Sequence, residues 1–223
     1  METASKPGGF FITFEGPEGG GKSTQIHRLA ASLAEQGYSV WTTREPGGTR
    51  VGEMIRPILL DRQQAPLTAW SEALLFSAAR AQHVEEVIRP RLTRGELVLC
   101  DRYADSTLAY QGYGRGLDLE TLRQLQRQAT GGLQPDLTIL LNLPVRAGLA
   151  RIPQPDQDRL DRETESFHQR ARHGYQRLAA AEPARWREVD ASLPADRVAA
   201  HILELVTQAL ERAGVRPVER RSA

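Results

Sequence analysis

The segment that most constrains this chain is an apolar run, Phe10–Glu15, that passes at once into Gly16-Pro17-Glu18-Gly19-Gly20-Gly21-Lys22-Ser23. A helical pattern follows directly, with Ile26, Leu29, Ala30, Leu33 and Ala34 at helical spacing. The segment matches G-x-x-x-x-G-K-[ST] in the strand–loop–helix context that gives the pattern its meaning. Glycines let backbone N–H groups converge on phosphate oxygens, and the helix N-terminus adds its positive end. Lys22 then supplies a point charge for the β and γ phosphates, and Ser23 a hydroxyl for Mg²⁺. The expected triphosphate site is therefore Gly16, Pro17, Glu18, Gly19, Gly20, Gly21, Lys22, Ser23 and Thr24.

A strand that ends in such a loop belongs in an α/β architecture, and the remaining pattern agrees. Short apolar runs at Phe10–Glu15, Ser39–Thr43, Leu97–Asp101, Leu137–Leu143 and Arg187–Asp190 read as strands of a parallel sheet. Helices are expected near Gly52–Leu60, Thr68–Thr93, Leu119–Thr130 and Arg162–Ala181. A last one carries Val198, Ile202, Leu205, Val206, Ala209 and Leu210. Gly37 reads as the stop of the first helix, and Pro90 as a break or kink in the long one. Ile152–Asp158 (IPQPDQD) reads as a mobile loop. With 223 residues and no internal linker, one domain over 10–213 is expected between flexible ends at 1–9 and 214–223.

Composition removes several classes of function. A net charge of +1 leaves no nucleic-acid footprint in the bulk charge, and no apolar stretch approaches a membrane span. Met1–Gly9 has no signal-peptide core, and the single Cys100, inside an apolar run, reads as a small buried hydrophobe. A cytoplasmic setting is expected. The absence of an N-K-x-D motif argues against a regulatory GTPase. Several arginines in loops suit a kinase of a phosphorylated acceptor, because guanidinium forks offset the repulsion between two anionic substrates. The five histidines show no zinc-ligand spacing, so Mg²⁺ is the metal expected.

Beyond the phosphate loop, three stretches follow in order: Thr43-Arg44-Glu45-Pro46-Gly47-Gly48-Thr49, Phe76-Ser77-Ala78-Ala79-Arg80, and Asp101-Arg102-Tyr103 continuing to Ala109-Tyr110-Gln111-Gly112. Their order and spacing resemble the bacterial thymidylate kinases, over about Phe10 to Leu210. The resemblance implies a three-layer P-loop kinase fold, a five-stranded parallel sheet flanked by helices with a short lid. It also implies phosphorylation of thymidine monophosphate (dTMP) by Mg·ATP and a homodimer. Other readings are a kinase of another nucleotide and a regulatory nucleotide-binding protein with a degenerate lid.

Carried over residue by residue, the resemblance implies Arg44 and Arg102 at the acceptor phosphate and Asp101 with Ser23 at the metal. It implies Phe76 stacked on thymine, Arg80 at its O4 edge, Thr107 and Gln111 as further base readers, and Tyr110 against the sugar 2′ position. Glu18, an acid inside a phosphate loop, is expected to serve the acceptor. Lys22, Arg44, Arg102 and the lid arginines Arg151 and Arg159 are then the catalytic cations. The lid, about 151–159, holds no basic residue between those two arginines, fewer than such lids usually carry. Asn142 stands where the family often has an aspartate.

Overall fold

The computed structural model describes residues 8–63 and 65–217, so most of both expected flexible ends lies outside the described residues. Five strands, β1 (Phe10–Glu15), β2 (Val40–Arg44), β3 (Leu97–Asp101), β4 (Leu137–Asn142) and β5 (Trp186–Asp190), form one sheet in the order β2-β3-β1-β4-β5. All four pairings are parallel, with Phe14 opposite Asp101 and Ile139. The helices are α1 (Lys22–Glu35), α2 (Arg50–Leu60), α3 (Ala69–His83), α4 (Arg89–Thr93), α5 (Ala104–Thr107), α6 (Leu119–Thr130), α7 (Val145–Leu149), α8 (Glu165–Ala181) and α9 (Ala195–Ala213).

Side chains alternate across the sheet. Phe10, Ile12 and Phe14 of β1 join Leu97, Leu99, Ile139 and Leu141 on one face, where α1 packs Ile26, Leu29 and Leu33 and α9 packs Val198, Ile202, Val206 and Leu210. Each such residue contributes about 1.5–3 kcal/mol when fully buried. Phe11, Val98 and Cys100 face the other way, against Val84, Ile88, Leu92 and Tyr103. Leu140 meets Phe167, Ala171, Tyr175 and Leu178. Within this core, Thr13 and Thr138 satisfy each other's hydroxyls at 2.9 Å.

Every expected strand is present within a residue or so of its expected bounds. Gly37 follows α1 with φ 90° and donates its N–H to the Ala34 carbonyl, which ends the helix. The long helix expected over Thr68–Thr93 is instead α3, a π-helical turn at Val84–Ile88, and α4. Pro90 has no N–H and its ring crowds the carbonyl four residues back, so the wider turn before it re-spaces the chain. Two helices have no counterpart in the sequence reading: α5, which runs into a π-helical segment at Leu108–Gly114, and α7. The α5 segment buries Asp105, Ser106, Thr107 and Gln111 together with Leu108, Ala109 and Tyr110, so buried positions are polar and apolar in turn and show no clear hydrophobic period. The expected loop Ile152–Asp158 contains a 3-10 turn at Gln154–Asp156. At the C-terminal end, Gly214 caps α9 and Val215 packs on the core.

Candidate active site

Strand β1 lies between β3 and β4, so the chain departs to opposite sides of the sheet around it, and a crevice opens at its carboxyl end. The loops after β1, β2 and β3 meet there around a cleft of about 350 Å³. Backbone geometry requires glycine at two of its corners. Gly16 has φ 133° and Gly19 has φ 67°, and a Cβ at either would strike the carbonyl of Leu141 or Gly148. Residues Glu18 to Thr24 line one end of the cleft. Lys22 is buried and donates from Nζ to the carbonyls of Gly16 (3.2 Å) and Pro17 (3.0 Å). Burial and the nearby Arg102 lower its pKa, against Glu18, Asp101 and Glu15. Ser23 donates its hydroxyl to Asp101 Oδ2 at 2.7 Å. The two residues expected at the metal are thus adjacent, and both offer the hard oxygen ligands that Mg²⁺ prefers.

The other end of the cleft is lined by Arg44, Phe76, Thr107, Tyr110 and Gln111, with Arg102 between the two halves. Arg102 follows β3 in a left-handed conformation, φ 68°, and its N–H donates to the Phe14 carbonyl at 2.9 Å. Its guanidinium reaches Glu18 at 2.7 Å, the Gly16 carbonyl at 3.1 Å and the Tyr175 hydroxyl at 3.0 Å. Tyr110 donates to the same Glu18 oxygen at 2.8 Å. Burial opposes ionisation of Glu18, but Arg102, Lys22 and the Tyr110 hydroxyl outweigh it and hold its pKa down at about 2. The acid inside the loop is therefore an anion, and it ties Arg102 and Tyr110 to the glycine-rich loop.

Arg44 is half exposed and pairs with Glu53 of α2 at 3.1 Å, while Glu53 also accepts from the Gly48 N–H. Arg80 is not at the cleft surface. It is 1% exposed, and its guanidinium donates to Glu45 (2.7 Å), Thr107 Oγ1 (2.9 Å), Gln126 (2.5 Å) and the Tyr103 carbonyl (2.9 Å). Phe76 lines the cleft while Arg80, one turn on, stands behind Thr107. Arg151 donates to the carbonyls of Gly19 (3.3 Å) and Ala191 (3.1 Å), at the edge of the phosphate loop. Arg159 does not line the cleft; it donates to Glu72 (2.5 Å) and to the Leu59 carbonyl (2.8 Å). Asn142 bridges Glu188 (2.6 Å) and Arg172 (2.8 Å), a link between β5 and α8.

Sequence reasoning missed several cleft residues. Arg56 lines the cleft beside Arg44 and donates to the Pro46 carbonyl at 2.7 Å; burial and Arg44 lower its pKa. Its one sequence signal was its place one turn after Gly52, the residue that packs α2 on the Gly47 turn. Ser106, Leu60, Asp158 and Leu160 also line the cleft. Beneath it, Glu15 is fully buried and accepts from the Tyr103 N–H (2.8 Å), Ser106 (2.6 Å) and Tyr175 (3.0 Å). Buried polar residues scattered over three elements leave no linear pattern.

Comparison with known proteins gives the family and the fold. The thymidylate kinase family model matches residues 14–202. The thymidylate kinase of Thermomicrobium roseum is 57% identical over 205 residues, 91% of this chain and 97% of that one. That of Deinococcus radiodurans is 52% identical over 201 residues, 90% and 97% of the two chains. The crystal structure of thymidylate kinase from Ehrlichia chaffeensis superposes with a TM-score of 0.73 at 34% identity, covering 90% of this chain and 99% of that one.

Proposed function

This chain belongs to the thymidylate kinase family, and on that premise we propose that its cleft holds Mg·ATP at Gly16–Ser23 and dTMP against Phe76, Thr107, Tyr110 and Gln111. The chain transfers a phosphoryl group to dTMP and forms thymidine diphosphate (dTDP). The observation that carries the residue-level reading is the Arg102–Glu18–Tyr110 cluster, which ties the phosphate loop to the acceptor half within one continuous cleft.

An oxygen of the dTMP phosphate, already anionic, attacks the γ-phosphorus, and the bond to the bridging oxygen breaks with its electron pair leaving on ADP. No general base is required. The residues act by position and by charge. Lys22 and the loop N–H groups hold the donor; Arg44, Arg56 and Arg102 hold the acceptor phosphate near it. Ser23 and Asp101 would hold Mg²⁺, which would supply positive charge to offset that of the phosphates. Glu18 keeps Arg102 in place and meets the acceptor sugar with Tyr110. Arg151, on the Gly19 carbonyl, is the lid cation nearest the donor, and Arg159 anchors the root of the lid.

No helix among the described residues is long and apolar enough to cross a membrane. A cytoplasmic setting fits the buried Cys100 thiol, and a homodimer fits the apolar faces of α2 and α3. The deciding test is an acceptor screen. ADP release is followed with ATP and dTMP, dUMP, dCMP or dGMP, and dTMP should be clearly preferred. Equal or better turnover of another acceptor would sink the reading.

A further inference from the structure

Glu72 of α3 is a carboxylate with 1% of its side chain exposed, outside the residues that line the cleft. Its Oε1 accepts from Gln111 Nε2 at 2.7 Å and Arg115 Nε at 3.2 Å. Its Oε2 accepts from Arg115 Nη2 at 3.1 Å and Arg159 Nη2 at 2.5 Å. Burial alone would favour the protonated acid. The hydrogen bonds from Arg115, Gln111 and Arg159 outweigh it and hold the pKa below its ordinary value. An ionised carboxylate can only accept, so the end of the Gln111 amide that meets it must be the NH₂. The Gln111 carbonyl oxygen is turned away from Glu72, has no protein hydrogen-bond donor among the described residues, and belongs to a side chain that lines the cleft.

One turn earlier, the Thr107 hydroxyl accepts from Arg80 Nη1 at 2.9 Å, which leaves its proton free to be donated. The base end of the cleft therefore offers an acceptor at Gln111 and a donor at Thr107. A base edge with a carbonyl beside a ring N–H complements that pair. The cytosine edge, an amino group beside a bare ring nitrogen, presents both with the wrong partner.

We infer that Glu72, which touches no substrate, is a positioning residue that fixes the amide of Gln111 and so sets the hydrogen-bond polarity by which the pocket takes thymine or uracil and rejects cytosine. The inference rests on the dTMP reading of the cleft. Arg115 and Arg159 are the counterions that let the carboxylate stay ionised while buried. The lid root and the base pocket thus share one acid.

The test compares kcat/KM for dTMP, dUMP and dCMP in the wild type and in Glu72→Gln, with the KM for ATP and the melting temperature measured alongside. A neutral amide at 72 can donate as well as accept, so Gln111 is free to turn. The dTMP-to-dCMP ratio should fall by about 10- to 100-fold. The dTMP-to-dUMP ratio and the KM for ATP should stay within about threefold. If dTMP and dCMP lose rate together and their ratio holds, Glu72 is a packing residue and the inference is overturned. Should Glu72→Gln fail to fold, Glu72→Gln with Arg115→Gln restores the charge balance, and the same ratio decides. A wild type that does not prefer dTMP to dCMP would overturn the acceptor assignment instead, so the two failures are distinguishable.

Discussion

Arg102 holds a left-handed backbone conformation that costs a non-glycine residue about 1–3 kcal/mol. Its N–H on Phe14 and its guanidinium on Glu18, Gly16 and Tyr175 hold it there, aimed between the two halves of the cleft. Arg102→Gln should lower kcat/KM for dTMP by on the order of 100- to 1000-fold, with a much smaller change in KM for ATP. Equal losses toward both substrates would argue for general disorder of the loop. Glu15 and Glu18 titrate in opposite senses. Burial, with Asp105 nearby, raises the Glu15 pKa from 4.5 to about 7. Its contribution to stability is thus fully present below pH 4.5 and lost as pH rises through 7. Glu18, lowered to about 2, contributes above pH 4.5 and loses that contribution as pH falls through 2. Between pH 5 and 8 Glu15→Gln should therefore gain on the wild type by roughly 2–3 kcal/mol in urea unfolding. A difference that stays flat across that range would remove the raised Glu15 pKa from the account.

At the scale of elements, the turn after β2 is rigid because α2 grips it. Thr49 caps α2 by accepting the Gly52 N–H at 3.0 Å, and Glu53 in its first turn accepts from both Arg44 and Gly48. Thr49→Ala should cost about 1 kcal/mol of stability by chemical denaturation. It should also raise KM for dTMP, because α2 carries Arg56 and orients Arg44. The Arg159 contact at the root of the proposed lid is likewise an element-scale device. Arg159 joins α2, at Leu59 and Leu60, to Glu72 of α3. Arg159→Ala should lower the melting temperature and raise KM for dTMP while kcat stays within about threefold. A 100-fold fall in kcat at unchanged stability would place Arg159 at the transferring phosphoryl group instead.

For the molecule as a whole, Val51, Met54 and Ile58 of α2 and Trp70 and Leu74 of α3 leave large apolar surface exposed on two helices that pack together. Met54, at 65% exposure, is the most open of them. Covering that face with a second copy is the homodimer proposed above, and Met54→Glu with Leu74→Glu should convert it to monomers by analytical ultracentrifugation. A wild-type protein that sediments as a monomer would exclude it. The sequence by itself determined the phosphate loop, the five strands and the arginine stretches, because each rests on a local rule: a period of two, a glycine spacing, a motif at a strand end. It also singled out Glu18 as out of place among phosphates. Only the tertiary structure decided what Glu18 touches, that Arg80 stands behind Thr107 rather than at the surface, and that Arg159 is bound to Glu72. It also brought in Arg56, Glu15 and Glu72, which lie far apart in the chain. Buried polar partners are chosen by which unsatisfied groups the packed elements bring within about 3 Å of one another. That requirement is met in three dimensions and leaves no period in the chain.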